Sequence, residues 1–244
     1  MSFPFPTFLV SESKKSLRVR SSSDANLSRS FGTPTNTNKY TYSLFVKRFN
    51  EALNKFLHAS SAAGTYTTIG QQEDIDYALW DGQIGYIGYY HNSSSVSTLT
   101  TDHVHFLWSV DIENGTAANR VKFYLDGTEI TTGTDYVINS PDYAINKSGV
   151  THYIGNPSAG DGTDLIISNV HFIDGQNLTP SSFAETVGGV WKPKIYSGTY
   201  GNNGFKLDFR NAQSATTLGY DYSGNGNHFT TYGIATTDQL NDVP

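Results

Sequence analysis

The run Val121-Lys122-Phe123-Tyr124-Leu125-Asp126-Gly127-Thr128-Glu129-Ile130 decides the fold class of this chain. Val121, Phe123 and Leu125 alternate with Lys122, the period-2 pattern of a strand with one face in a core. Asp126-Gly127 follows, the pair that a type I′ hairpin turn prefers because both of its central residues need positive φ. The segment reads as a β-hairpin with Val121, Phe123 and Leu125 inward and Lys122 outward.

The same reading extends in both directions. Leu17-Arg18-Val19-Arg20 alternates with period 2, and Tyr40–Val46 is rich in strand formers and mostly apolar, as a buried sheet face requires. Further strands are predicted at His103–Val110, Thr151–Gly155, Leu165–Ile173 and Gly204–Phe209. Asp81-Gly82 and Asp174-Gly175 lie between β-like flanks and read as two more hairpin turns. Two places lean towards helix. Val46, Phe49, Leu53, Phe56 and Leu57 recur at helical spacing, which leaves a short helix and a strand–loop–strand both open. Thr179-Pro180-Ser181-Ser182-Phe183 reads as a cap followed by Pro at the first helical position, giving one or two turns. No repeat of 20–50 residues breaks the pattern, so residues 15–244 are expected to form one all-β sandwich.

Composition agrees. The 244 residues include 16 Tyr and 14 Phe with only 16% charged residues, a mixture suited to short strands and polar turns. Cysteine is absent, which excludes disulfides, thiolate metal sites and a Cys nucleophile. No apolar run approaches the ~20 residues of a membrane span, and the first ten residues lack the basic leader and apolar segment of a signal peptide. Residues 1–14 read instead as an extended arm. Pro4 and Pro6 alternate with Phe3, Phe5 and Phe8, so this stretch cannot be helical, and its phenylalanines are candidates for capping the sandwich or attaching to a neighbouring subunit.

Charge is uneven. Residues 1–50 hold eight Lys and Arg against Glu12 and Asp24, a net of +6; the whole chain is −6, so the remainder carries −12. A basic amino-terminal end could dock on an acidic partner, or it could be an edge strand guarded by Lys and Arg. The acidic total and the lack of any recognition motif argue against nucleic acid.

A set of ordered segments resembles concanavalin A/laminin-G-like domains of tailed-bacteriophage structural proteins. They are Asn119–Gly127, His152-Tyr153-Ile154-Gly155, Val170–Gln176, Leu178–Phe183, Gly189-Val190-Trp191-Lys192-Pro193-Lys194, Asp221–Phe229 and Asp242-Val243-Pro244. Leu17-Arg18-Val19 and Tyr42–Arg48 fit as well, so the resemblance covers about residues 15–244. It implies a concanavalin A-like jelly-roll β-sandwich. It also implies a virion structural protein: a lectin-like module of a tail fibre or other projection, made in the host bacterial cytoplasm, repeated within the particle as a homo-oligomer and bound to other virion proteins. Adhesion to host-surface glycans is the first expectation. A capsid decoration protein that recognises no sugar is the alternative, and a polysaccharide hydrolase a remote one. Domains of this kind usually continue past the Asp-Val-Pro, and the Phe-Pro arm is outside the pattern.

Candidate sites follow. Trp80, Tyr86, Tyr89, Tyr90 and His91 flank a hairpin and offer the aromatic faces and polar tips that sugars need, although core packing uses the same residue types. Asp221, Ser223, Asn225 and Asn227 alternate in a Gly-containing loop, as calcium ligands could, or as an Asx-type turn would; calcium is common in laminin-G and legume-lectin relatives. Asp161 and Asp164 are a weaker pair. His103 and His105 share a strand face without further zinc ligands. Catalysis is not expected. Jelly-roll glucanases use Glu-x-Asp-x-x-Glu on one strand, and in Glu73-Asp74-Ile75-Asp76-Tyr77-Ala78 the middle acid is displaced and Ala78 replaces the last Glu.

Overall fold

The structure, a computed structural model, describes residues 14–49, 54–60, 66–73, 76–81, 85–91, 102–131, 144–158 and 162–244; within 71–91 only Leu79 has a described side chain. Seventeen strands, all paired antiparallel, and a few single 3-10 turns make up its regular structure. They are β1 (Ser16–Val19), β2 (Asn26–Ser30), β3 (Lys39–Arg48), β4 (Asn54–Ser60), β5 (Tyr66–Glu73), β6 (Asp76–Asp81), β7 (Gly85–His91), β8 (Val104–Asp111) and β9 (Val121–Leu125). After these come β10 (Thr128–Glu129), β11 (Thr151–Gly155), β12 (Leu165–Asp174), β13 (Ala184–Val187), β14 (Val190–Pro193), β15 (Phe205–Leu207), β16 (Thr230–Tyr232) and β17 (Gln239–Leu240).

Sheet A runs β10-β9-β8-β3-β12-β1-β17, with β15 also on β12; sheet B runs β16-β2-β11-β4-β5-β6-β7. The chain crosses between them at β1–β2, β2–β3, β3–β4, β7–β8, β10–β11, β11–β12, β15–β16 and β16–β17. This is a jelly-roll sandwich, the predicted fold class, and its core draws on both inner faces. Tyr42, Leu44, Phe106, Trp108 and Phe172 of sheet A meet Leu27, Phe56, Leu57, Ile69 and Ile154 of sheet B in one buried cluster. Its rings are in contact: Phe172 stacks on Phe205 at 5.6 Å, and Trp108 lies 4.6 Å from Phe123.

The hairpin that opened the sequence reading is present as written. Asp126 and Gly127 take φ of 44° and 82°, Leu125 pairs with Thr128, and Val121, Phe123 and Leu125 enter the core. Both described ends of the ambiguous 46–57 stretch are strand, because Val46 on β3 and Phe56 and Leu57 on β4 all reach the core from extended backbone; residues 50–53 lie outside the described residues. Only one 3-10 turn, Pro180–Ser182, follows Thr179, whose side chain makes no cap bond. Around 82–84, which lie outside the described residues, Asp81 pairs directly with Gly85, so that hairpin holds one residue more than a two-residue turn.

Asp174-Gly175 is not a hairpin turn. Asp174 ends β12 as a buried carboxylate that accepts N–H bonds from Thr35 (2.6 Å), Asn36 (3.2 Å) and Asn203 (3.0 Å), and from Asn146 Nδ2 (2.8 Å). Four donors from three separate loops offset the desolvation of the charge and tie one end of the sandwich together. Gly201, at φ +73°, passes so close that a Cβ there would sit 2.1 Å from the Asp174 carbonyl oxygen.

The edge-strand reading of the basic amino-terminal region does not hold for β1, β2 or β3, all internal to their sheets. The region's cations face the chain's own acids: Arg18–Asp164 (3.7 Å), Arg20–Asp238 (2.8 Å), Lys39–Asp111 (2.9 Å) and Lys47–Asp242 (2.9 Å). The charge asymmetry along the sequence is largely folded away.

Sheet A is covered on its outer face as well. Leu107, Tyr124, Ile173, Phe183 and Tyr200 form a second buried cluster there, with Leu178 and Tyr196 packed against it. Trp191 on the β13–β14 hairpin donates from Nε1 to His105 Nδ1 (3.0 Å), so the neutral ring carries its proton on Nε2 and donates it to Ser43 Oγ (2.8 Å). Desolvation holds His105 and His152 down at about 3, and His171 well below the ordinary imidazole value.

These three rings carry a pH dependence. Their folded values lie below the unfolded value, so the unfolded chain takes up protons first as pH falls. Stability is fully present above about pH 6.5 and should drop from there towards pH 3, by up to about 1.4 kcal/mol per pH unit for each ring. Denaturant melts between pH 7.5 and 5 check this; a flat profile, or an unchanged slope in His152→Asn, contradicts it.

Candidate functional site

Sheet A is enclosed on both sides, whereas the described outer face of sheet B leaves Ser30, Tyr66, Thr230 and Tyr232 exposed and Ser28 and Tyr153 half-buried, with His58 and Thr68 buried. Pairing aligns one register row across this face. Thr230 pairs with Ser28, Ser28 with Tyr153, Tyr153 with His58, His58 with Thr68, Thr68 with Trp80 and Trp80 with Tyr86. Directly paired residues share a face, and their chain neighbours Leu27, Ile154, Leu57 and Ile69 belong to the core, so the row belongs to the outer face.

The described side chains of this row are aromatic and hydroxylic. His58 lies 5.5 Å from the ring of Tyr66 and 6.2 Å from that of Tyr153, and its Nδ1 meets Thr68 Oγ1 at 2.7 Å. Tyr66 is 38% exposed, Tyr153 is half-buried, and Tyr232, in the same phase on edge strand β16, is 63% exposed. Ser30 and Thr151 exchange a side-chain hydrogen bond of 3.0 Å on this face. Partly exposed tyrosines with hydroxyls between them can stack on the C–H faces of a sugar ring and hydrogen-bond its edges.

The predicted aromatic group falls on the last two strands of sheet B. Trp80 and Tyr86 sit in the row, Tyr89 pairs with Ala78 and His91 with Asp76, while Tyr90 pairs with Tyr77, one residue out of phase. The side chains of these five lie outside the described residues. So do Phe3, Phe5 and Phe8. Sequence reading missed Tyr66, Tyr153, His58 and Tyr232, which lie far apart along the chain.

The calcium loop does not fit its ligand. Asp221 is spent on protein donors: Lys206 N and Ser223 N reach Oδ1 at 2.8 and 2.7 Å, and Ser223 Oγ and Asn227 N reach Oδ2, each at 2.8 Å. Asn225 and Asn227 turn their amide nitrogens onto the Gly201, Asn202 and Gly204 carbonyls, and Arg29 donates to Asn227 Oδ1. A guanidinium and four N–H or O–H donors occupy the places that a cation's oxygen shell needs. The geometry is the Asx-type turn. It walls an open polar depression of about 530 Å³ with Thr199, Asn202, Ser223 and Asn225. Asp161 is outside the described residues, and Asp164 pairs with Arg18. His103 faces Asp242 at 3.7 Å while His105 holds Ser43 and Trp191, so the two imidazoles serve different partners. Among the described residues no group of three or more His, Asp or Glu gathers as metal ligands would. Glu73 ends β5 opposite Asp76 at the start of β6, with their side chains outside the description.

No protein-family model and no curated protein matches the chain. Solved structures are similar in fold. The full extracellular region of zebrafish Gpr126/Adgrg6 aligns with 91% of this chain at a TM-score of 0.50 and 16% identity, the chain spanning 26% of that protein. A heptameric SAP-like pentraxin from Limulus polyphemus aligns with 68% of the chain, over 77% of its own length, at a TM-score of 0.48 and 13% identity. Domain 4 of the arabinanase AbnA from Geobacillus stearothermophilus, in complex with arabinotriose, aligns with 60% of the chain and 65% of its own length, at 0.40 and 20%. The Gpr126/Adgrg6 likeness bears on the fold alone.

The Asx-turn geometry makes a prediction. Calcium or a chelator should leave the melting temperature unchanged, whereas Asp221→Ala, which strands four donors, should lower it by several degrees. A rise in melting temperature on adding calcium contradicts this assignment.

Proposed function

We propose that this chain is a non-enzymatic structural module of a bacteriophage virion, part of a tail fibre or similar projection, and that the outer face of its sheet B adheres to host-surface glycans. The virion setting draws on the ordered sequence segments and the glycan role on the face. The observation that carries the glycan role is the register row that brings Tyr66 and Tyr153, both with surface open to solvent among the described residues, beside the buried His58 on the outer face of sheet B. Binding is favoured over turnover, since glycoside hydrolysis needs two carboxylates facing across a cleft and the described part of the row has none.

The decoration-protein reading has one observation in its favour. The β13–β14 hairpin projects Val187 and Val190, each more than half exposed, beside the exposed Ile195. Paired valines on a hairpin tip suit contact with a neighbouring subunit.

In the glycan reading the purified chain binds host envelope polysaccharide, and Tyr153→Ala weakens that binding by roughly tenfold without changing the melting temperature. Equal binding by the variant counts against it. Attachment to the particle is assigned to the arm: removing residues 1–13 should leave the sandwich folded by circular dichroism but abolish incorporation into particles, and normal incorporation would sink that assignment.

A further inference from the structure

The chemistry of the sheet B face also specifies what kind of glycan it takes. In phase with the aromatic row, Ser28, Ser30, Ser60, Thr151 and Thr230 supply hydroxyls, while Asn26 is buried with its amide donating to the Asp24 and Asn156 carbonyls. No Asp, Glu, Lys or Arg occupies this phase on β2, β11 or β16, or between His58 and Ser60 on β4 and Tyr66 and Thr68 on β5. The charges in phase are Lys55, beyond the bulge of β4, and the paired Glu73 and Asp76, at the end of β5 and the start of β6. The chain nonetheless has cations on other surfaces. Arg18, Arg20, Lys39 and Lys47 are held by acids along sheet A and its margins.

A uronate, sialate or phosphate on a glycan placed against this row would lose water with Lys55 as the one in-phase cation on the described strands of sheet B, and with the acids Glu73 and Asp76 on the same face, a costly burial. The net charge of −6 adds long-range repulsion of polyanions. Uncharged sugars meet the opposite situation: hydroxyl edges for their hydroxyls and tyrosine rings for their C–H faces. The row also has a direction. Tyr232 lies on β16 at one edge, Tyr153 and Tyr66 lie on β11 and β5, and the Trp80 and Tyr86 positions lie on β6 and β7 at the other edge. Six inter-strand steps of ~4.8 Å make this a track of about 29 Å across the strands, long enough for several sugar units.

We infer that the ligand is a neutral, extended oligo- or polysaccharide lying across the strands of sheet B. This rests on the glycan-binding reading above, and the two fail separately. The experiment is affinity electrophoresis of the full chain in dextran, mannan, arabinan, polygalacturonate, hyaluronate and host envelope polysaccharide, at low and high salt. The expected result is retardation by at least one neutral polymer that changes less than twofold with salt, strengthens with chain length, and falls roughly tenfold in Tyr66→Ala/Tyr153→Ala with an unchanged melting temperature. Retardation by acidic polymers alone, lost at high salt and lost in the double variant, overturns the neutral-ligand inference and leaves the glycan role standing. Neutral binding untouched by the double variant removes it from this face. No retardation by any polymer defeats the glycan role as well.

Discussion

The enclosure of β12 on both faces organises this molecule. All ten of its residues are buried. Inward, Val170 and Phe172 join the core shared with sheet B; outward, His171 and Ile173 lie beneath Tyr200 and Phe183. β8 is buried along its whole length in the same way. Sheet A thus behaves as the middle layer of three, and covering its outer face removes it as a binding surface. Among the described residues Tyr66 and Tyr153 on sheet B keep solvent-facing surface, which makes the outer face of sheet B the candidate for binding.

Polar chemistry at the ends is directed inward too. Asp174 collects donors from Thr35, Asn36, Asn146 and Asn203, and Asp221 from Lys206, Ser223 and Asn227. The two systems meet at residues 201–204, where Asn225 and Asn227 bond the carbonyls of the segment that also gives Asn203 to Asp174. Loops that could have been ligand-gathering are consumed in holding the sandwich closed. The basic amino-terminal strands add ion pairs to acids elsewhere in the chain, Arg20 to Asp238 and Lys47 to Asp242 among them, beside the pairing of β1 with β17.

What the sequence revealed and what it hid divide by the range of the interactions. The 121–130 hairpin was legible because its information is local: alternation and one Asp-Gly pair suffice. Strands β3, β8 and β12 were legible because burial on both faces leaves mostly apolar runs. Asp174-Gly175 misled because the same dipeptide serves a turn or a buried hub, and the four donors that decide between them lie up to 139 residues away. The 46–57 stretch fitted both periods, and only tertiary contacts to Phe56 and Leu57 decide for strand. Trp80, Tyr86, Tyr89, Tyr90 and His91 stood out as a local aromatic cluster. Their alignment with Thr68, His58, Tyr153 and Ser28 is a matter of register across strands distant in sequence, which no local pattern carries.

The central claim is that the outer face of sheet B is the binding surface. Amide chemical-shift mapping of the full chain during titration with host envelope oligosaccharide tests it most directly. The account predicts that the largest perturbations fall on β4, β5 and β11, around His58, Tyr66, Thr68 and Tyr153, with a continuation to Tyr232. Perturbations confined to the depression at Thr199, Asn202, Ser223 and Asn225, or to the β13–β14 hairpin, would contradict it.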